Sequence, residues 1–271
     1  MDATCPPSQH HFSLAYWKRD PPYQAGTRSL RVLPAQNHSP SHALLWSAQV
    51  LTDIIFKSMK LFLSSLASTT LDLAKPLLPY EPSQLKLAFI ATATDPYGDI
   101  DMPWLDADRA KLIAMGFKLS DYDLKNKTAS QLRADLSSFD VIFVSGGNTY
   151  YLLEIVRKTG FDQVLGELLD KGAIYIGASA GSVLLCPTID HVRLIEHPEV
   201  VPDLVDFRGL GLTDYLIAPH YGKQKYESRY KQIIQDWGDR ILLLKDNQAL
   251  MINGDKIELV TNQEEKDVND Y

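Results

Sequence analysis

Short apolar runs alternate with amphipathic segments from residue 59 to residue 260, and the small and polar residues collect where the runs end. Residues 61–64 and 85–91 read as strands, the second as Leu-Lys-Leu-Ala-Phe-Ile-Ala. Between them the spacing predicts a helix over 70–78, stopped by Pro79. A polar loop over 92–101 leads to an amphipathic helix over 104–115, closed by Gly116 in the position that favours a left-handed residue. A strand over 117–121 and a short helix over 129–136 follow. Val141-Ile142-Phe143-Val144 is continuously apolar, as a strand covered on both faces should be. Helices are expected over 150–158 and 161–171, ending at Gly160 and Gly172, and then a strand over 173–178.

After that strand the pattern loosens. Residues 191–208 are poorly periodic, 216–221 form a short strand ending in a histidine, and 223–237 form a charged amphipathic helix. Segments 241–244, 249–253 and 256–260 read as closing strands, the last two joined by Asn253-Gly254-Asp255 as a hairpin. Strands alternating with helices at this spacing predict an α/β fold, a mostly parallel sheet with helices on both faces. Ligands bind such sheets beyond the carboxyl ends of the strands. Gly146-Gly147 and Ser179 both stand at such ends.

Residues 1–58 differ in texture. They carry His10, His11, His38 and His42 without ligand spacing, scattered prolines, and one helical pattern over 41–57. They read as an appendage ahead of a native start at Met59, leaving a catalytic domain over 59–260 and an acidic tail over 261–271. At 271 residues and 45% hydrophobic content, the chain can bury a sizeable core. The net charge of −7, with no long basic block, argues against nucleic acid as a partner. Cys5 and Cys186 lack C-x-x-C spacing, which argues against a disulfide framework or a structural zinc. No apolar run approaches the roughly 18 residues of a membrane span, and the N-terminus lacks the pattern of a secretory signal. The expectation is a cytoplasmic protein with no membrane partner, monomeric or homodimeric.

The chemistry centres on Gly177-Ala178-Ser179-Ala180-Gly181, the G-x-S-x-G layout of a nucleophile elbow. Small residues around the serine let a strand turn sharply into a helix and leave the hydroxyl exposed. A serine hydroxyl needs a base, itself oriented by a third group. His220 ends a predicted strand and is the candidate base, whereas His191 and His197 lie in the irregular stretch. Asp190, Glu196 and Asp246 are each available as the orienting acid, and spacing does not choose among them. Candidate oxyanion donors are the N–H of Ala180, at the start of the elbow helix, and that of Gly147.

Three segments together resemble the signatures of the S51 serine peptidases, the family that includes peptidase E, an aspartyl dipeptidase, and cyanophycinase. They are Val144-Ser145-Gly146-Gly147-Asn148-Thr149, Tyr175 to Gly181, and Ala218-Pro219-His220-Tyr221. The resemblance implies a three-layer fold like that of class I glutamine amidotransferases (flavodoxin-like), with serine in place of cysteine. It also implies a dipeptidase-like hydrolysis of small peptides through an acyl-enzyme on Ser179, with no metal or cofactor. His220 would be the base, with Gly147 and Ala180 at the oxyanion. For the acid, the family offers one carboxylate after the elbow helix and another in the loop that here holds Asp246. The first offset falls near Leu194, so Asp246 is preferred and Asp190 comes next. Gly146, Asn148, Thr149, Tyr226 and Arg229 are expected at the substrate. Tyr226 stands where peptidase E carries the arginine that grips an aspartyl side chain, and Lys225 and Arg229 are its cationic neighbours. A lysine would not reproduce a bidentate guanidinium, so aspartyl specificity does not carry over. An α/β-hydrolase esterase and a non-catalytic binding module on the same fold are the competing readings. A glutamine amidotransferase reading fails because its thiolate chemistry needs a cysteine where this chain has Ser179.

Overall fold

The structure, a computed structural model, describes residues 59–263. The expected appendage and the tail beyond residue 263 lie outside the described residues. Five parallel strands, running from one edge, make up most of a seven-stranded sheet: β1 (Lys60–Ser64), β2 (Lys86–Ile90), β3 (Lys118–Asp121), β4 (Val141–Val144) and β5 (Ile174–Ala178). The order is β3-β2-β4-β5-β1-β8-β9, where β8 (Gln248–Asn253) runs antiparallel to β1 and β9 (Lys256–Thr261) antiparallel to β8. This is the mostly parallel three-layer α/β fold that the alternating pattern predicts.

Strand side chains alternate between two apolar layers, as a period of two requires. Leu61, Leu63, Ala88, Ile90, Ile142, Val144 and Tyr175 enter one layer. It is filled by α3 (Ala129–Leu136), α4 (Thr149–Thr159), α5 (Phe161–Asp170) and α6 (Ala180–Leu184). Phe62, Leu87, Phe89, Val141, Phe143, Ile174 and Ile176 enter the other, packed by α1 (Ala67–Thr70) and α2 (Pro103–Met115). Phe89 and Phe143 stack there with ring centroids 4.9 Å apart. Among the described residues, no helix is long and apolar enough to cross a membrane.

Local chemistry explains where the elements depart from expectation. The helix expected over 70–78 starts earlier, as α1, and tightens into a 3-10 helix over Leu71–Leu77. Pro76, inside that segment, has no N–H for an i→i−4 ladder. The polar loop after β2 holds a 3-10 turn over Thr92–Tyr97. β6 (Leu216–Ala218) and β7 (Ile241–Leu243) do not join the main sheet, whose edges are β3 and β9. They pair in parallel with each other. Leu244 N donates to Ala218 O at 3.0 Å and Tyr221 N to Leu244 O at 2.9 Å, which extends that pairing and sets residue 220 beside residue 246.

The turn from β5 into α6 leaves no room for side chains at its glycines. A Cβ on Gly181 would lie 2.2 Å from Val144 O, and one on Gly177 would lie 2.7 Å from the Gly181 carbonyl carbon. Gly181→Ala therefore separates packing from propensity. Helix propensity alone favours alanine by up to about 1 kcal/mol. The crowding against β4 predicts a loss of about 1–3 kcal/mol in unfolding free energy, read from urea denaturation.

Candidate active site

Four carboxyl-end segments converge on the elbow: those following β1, β4, β5 and β6. Ser179 itself has φ 46° and ψ −104°, a strained conformation for a non-glycine residue. Its N–H donates to Ser64 O at 2.9 Å, tying the turn to the end of β1. Ser182 Oγ, a bifurcated donor, lies 2.8 Å from Ser64 O and 2.9 Å from Gly177 O. The hydroxyl of buried Tyr175 donates to Gly181 O at 2.7 Å. These bonds satisfy backbone groups that the sharp turn would otherwise leave unpaired.

Ser179 Oγ lies 3.0 Å from His220 Nε2, and His220 Nδ1 lies 2.6 Å from Asp246 Oδ1. His220 also has a positive φ, 65°, directly after Pro219. The Tyr230 hydroxyl donates to the Pro219 carbonyl, and His220 N donates to Ser65 Oγ at 2.7 Å. Ser65 Oγ in turn donates to Asp246 Oδ1 at 2.7 Å, while Lys223 Nζ pairs with Asp246 Oδ2 at 2.8 Å. The Thr69 hydroxyl donates to the Asp246 carbonyl, and Lys245 N to Gln248 Oε1 at 3.0 Å, which closes the turn around Asp246. Burial alone would raise the Asp246 carboxyl. The hydrogen bond and charge of His220, with those of Lys223, outweigh it and hold the carboxyl well below the usual range.

The other candidate acids lie elsewhere. Asp190 Oδ1 pairs with Arg193 at 3.3 Å on a 3-10 turn over Asp190–Val192. Glu196 accepts from Thr149 N at 2.7 Å and from Thr149 Oγ1 at 2.6 Å, at the start of α4. Gly146 comes beside the nucleophile: a Cβ there would sit 3.3 Å from Ser179 Cβ. Gly147, at φ 144°, lies against the Ala93 backbone, where a Cβ would come within 2.3 Å of Ala93 O. Ala180 is the first residue of α6. Asn148 caps α4 through Tyr151 N at 2.9 Å, and its Nδ2 donates to His197 O at 3.0 Å. The Tyr226 ring is 6.4 Å from the His220 ring, with Lys225 Nζ 5.2 Å and the Arg229 guanidinium 5.8 Å from its centroid. Cys186 is buried, and burial pushes its thiol up to about 12. Among the described residues, no group of three or more His, Cys, Asp or Glu side chains could hold a metal ion.

Ser65 and Lys223 are contacts that the sequence pattern does not reveal. Ser65 reads as the end of a strand, and Lys223 as the first charge of a helix. Only the position of Asp246 in space gives either of them a partner.

A model of peptidase family S51 matches residues 64–260. Among characterised and uncharacterised relatives, the chain is 29% identical over 154 residues to an uncharacterized peptidase of Pasteurella multocida, spanning 56% of this chain and 74% of that protein. It is 30% identical over 136 residues to peptidase E of Streptomyces coelicolor, spanning 45% of this chain and 53% of that protein. A crystal structure from Listeria monocytogenes, assigned provisionally to peptidase E, superposes with a TM-score of 0.70 at 24% identity. The superposition covers 76% of this chain and 99% of that one. At that identity the likeness shows the fold.

The Asp246 carboxyl generates a stability prediction. Its folded-state value lies below the unfolded value of about 3.9, so the stability it contributes is present above that pH and is lost as pH falls toward the folded value. In Asp246→Asn that loss is absent. Urea titrations between about pH 4 and pH 2 should show a shallower acid-side decline for the variant than for the wild type. An unchanged slope would mean that the carboxylate is not held in its charged form by the fold.

Proposed function

The chain belongs to peptidase family S51, and on that footing we propose that it is a serine peptidase acting on small peptides, with Ser179 as nucleophile, His220 as general base and Asp246 as the orienting acid. One observation carries the reading: the unbroken relay of 3.0 Å and 2.6 Å from the strained serine through the imidazole to a carboxylate held in its charged form.

With Nδ1–H donated to Asp246, Nε2 is free to accept the Ser179 proton as Oγ attacks the scissile carbonyl carbon. The carbonyl oxygen gains the electron pair and is received by the N–H groups of Gly147 and Ala180. As the tetrahedral intermediate collapses, the C–N bond breaks and His220 gives its proton to the departing amine. A water molecule then loses a proton to His220 and attacks the ester. Ser179 is released with the proton back on Oγ. Asp246 keeps its charge throughout, because Ser65 and Lys223 as well as His220 favour the ionised carboxylate.

Substrates are expected to be dipeptides and other short peptides. Tyr226, flanked by Lys225 and Arg229, offers a ring where the family resemblance puts a carboxylate-gripping arginine.

A fluorophosphonate should label the wild type covalently and leave Ser179→Ala unlabelled; an unreactive Ser179 in folded protein would overturn the reading. Asp246→Asn should lower kcat by about 10³–10⁴-fold, since an asparagine favours the wrong imidazole tautomer. In a panel of dipeptides varied at the first residue, aspartate should give no wide advantage in kcat/KM. A large preference for Asp-Xaa would show that Lys225 or Arg229 does the work of the missing arginine.

A further inference from the structure

Position 108 breaks the apolar pattern of α2. Leu105, Asp108, Leu112 and Met115 follow helical spacing, and the three apolar members pack into the layer that holds Phe62, Phe89 and Phe143. Asp108 lies on that face with 1% of its surface exposed. Among the described residues no lysine, arginine or histidine pairs with it. The basic residues beside it on the helix are bound elsewhere, Arg109 to Asp121 and Lys111 to Asp72. Burial pushes the Asp108 carboxyl up to about 7, against hydrogen bonds from the backbone and side chain of Ser68. An acid raised in this way costs the fold stability from about pH 4 upward, and in full above about pH 7. A leucine at 108 would avoid that cost, since well-packed apolar residues can replace buried charges without loss. Stability does not account for an aspartate here.

What the carboxyl holds is the segment that backs the relay. Asp108 Oδ1 accepts from Ser68 N at 2.7 Å. Ser68 stands in the first turn of α1, where Leu66, the residue ahead of the helix, has no side-chain acceptor to offer. On either side of Ser68 the same segment reaches the relay. Ser65 Oγ accepts from His220 N and donates to Asp246 Oδ1, each at 2.7 Å, and the Thr69 hydroxyl donates to the Asp246 carbonyl. Asn262 Nδ2 holds the Thr69 carbonyl at 2.7 Å. β6 and β7 do not join the main sheet, so Ser65 and Thr69 tie the histidine and its acid to the strand end that anchors the elbow.

We infer that Asp108 is a positioning residue for the relay: through Ser68 it fixes the segment from Ser65 to Thr69, whose two hydroxyls hold His220 and Asp246 in line with Ser179. The inference rests on the serine-peptidase reading, and it extends the machinery of that reading to a helix on the other side of α1. A carboxyl suits the task because its oxygens can accept from both the N–H and the hydroxyl of Ser68. A leucine would fill the same space and bind neither, leaving the first turn of α1 free to shift. Ser65 and Thr69 flank Ser68 closely, so such a shift reaches both contacts with the relay at once. Displacements well below 1 Å at that remove are enough to slow a reaction that depends on the alignment of nucleophile, base and acid.

The test follows the second-order rate at which a fluorophosphonate labels Ser179 in the full chain, a readout of the activated serine that does not depend on which peptide is the substrate. Asp108→Leu should slow labelling about tenfold, whereas Asp108→Asn, which keeps an acceptor for Ser68 N, should stay within about threefold of the wild type. Asp106→Asn, at an exposed acid on the same helix, should leave the rate unchanged. The discriminating comparison uses the double variant Ser65→Ala, Thr69→Val, in which both hydroxyl links are gone. In that background Asp108→Leu should change the rate by less than about twofold. An undiminished effect there would make Asp108 a general support of the fold and overturn the inference, as would wild-type labelling by folded Asp108→Leu. If Asp108→Leu does not fold, Asp108→Ala carries the same comparison, and failure of both to fold would also overturn it. Labelled Ser179 that is indifferent to residue 108 removes only the role of Asp108. Unlabelled Ser179 in the wild type removes the serine-peptidase reading and this inference with it.

Discussion

A serine at φ 46° and ψ −104° persists only where its surroundings leave it no easier conformation. Such a residue costs on the order of 1–3 kcal/mol, and the rest of the domain supplies what offsets it. Ser64, at the end of β1, accepts from both Ser179 N and Ser182 Oγ. Gly181 lets α6 lie directly on the Val144 carbonyl, and Gly177 lets the strand pass beneath the helix. The parallel centre of the sheet matters because β1, β4 and β5 all end on the same side. With β1 reversed, Ser64 and Ser65 would be at the other end of the sheet, and neither the elbow nor the histidine segment would have its anchor.

That anchoring links the nucleophile to a second strained residue. His220, at φ 65°, is fixed by Ser65 through its own N–H, and the same hydroxyl reaches Asp246. Ser64 and Ser65 are adjacent in sequence, so one strand end positions both the residue that would attack and the pair that would activate it. A displacement of β1 would be felt at both sites together. The detached β6–β7 pairing serves the same end. It carries His220 and Asp246 on neighbouring segments, which keeps Nδ1 and Oδ1 at 2.6 Å without a long loop on either side.

Local signals made much of this legible. Continuous apolar runs marked β2, β4 and β5, and small residues around Ser179 marked the turn, because a close backbone approach excludes larger side chains. His220 stood out by ending an apolar segment. Local pattern did not choose among Asp190, Glu196 and Asp246; only the family resemblance leaned to Asp246. The choice depends on β6 and β7 pairing with each other, and three-residue strands leave almost no periodicity to read. Ser65 was hidden for a similar reason, since its partners are 155 and 181 residues away in the chain. The 3-10 character of residues 71–77 was written in Pro76, yet a helical pattern of apolar residues masks it, because both helix types put residues i and i+3 on one face.

Asp246 and Glu196 show how environment, more than position in sequence, sets the state of a carboxyl. Asp246 is surrounded by donors and cations: His220 and Lys223 override its burial and hold it ionised, and Ser65 Oγ donates to Oδ1. Glu196 receives two hydrogen bonds but no internal cation that offsets its burial, and its carboxyl is pushed the other way, up to about 7. A carboxylate already supplied with charge from within the protein is suited to orienting a histidine, since it needs nothing from the substrate to stay ionised.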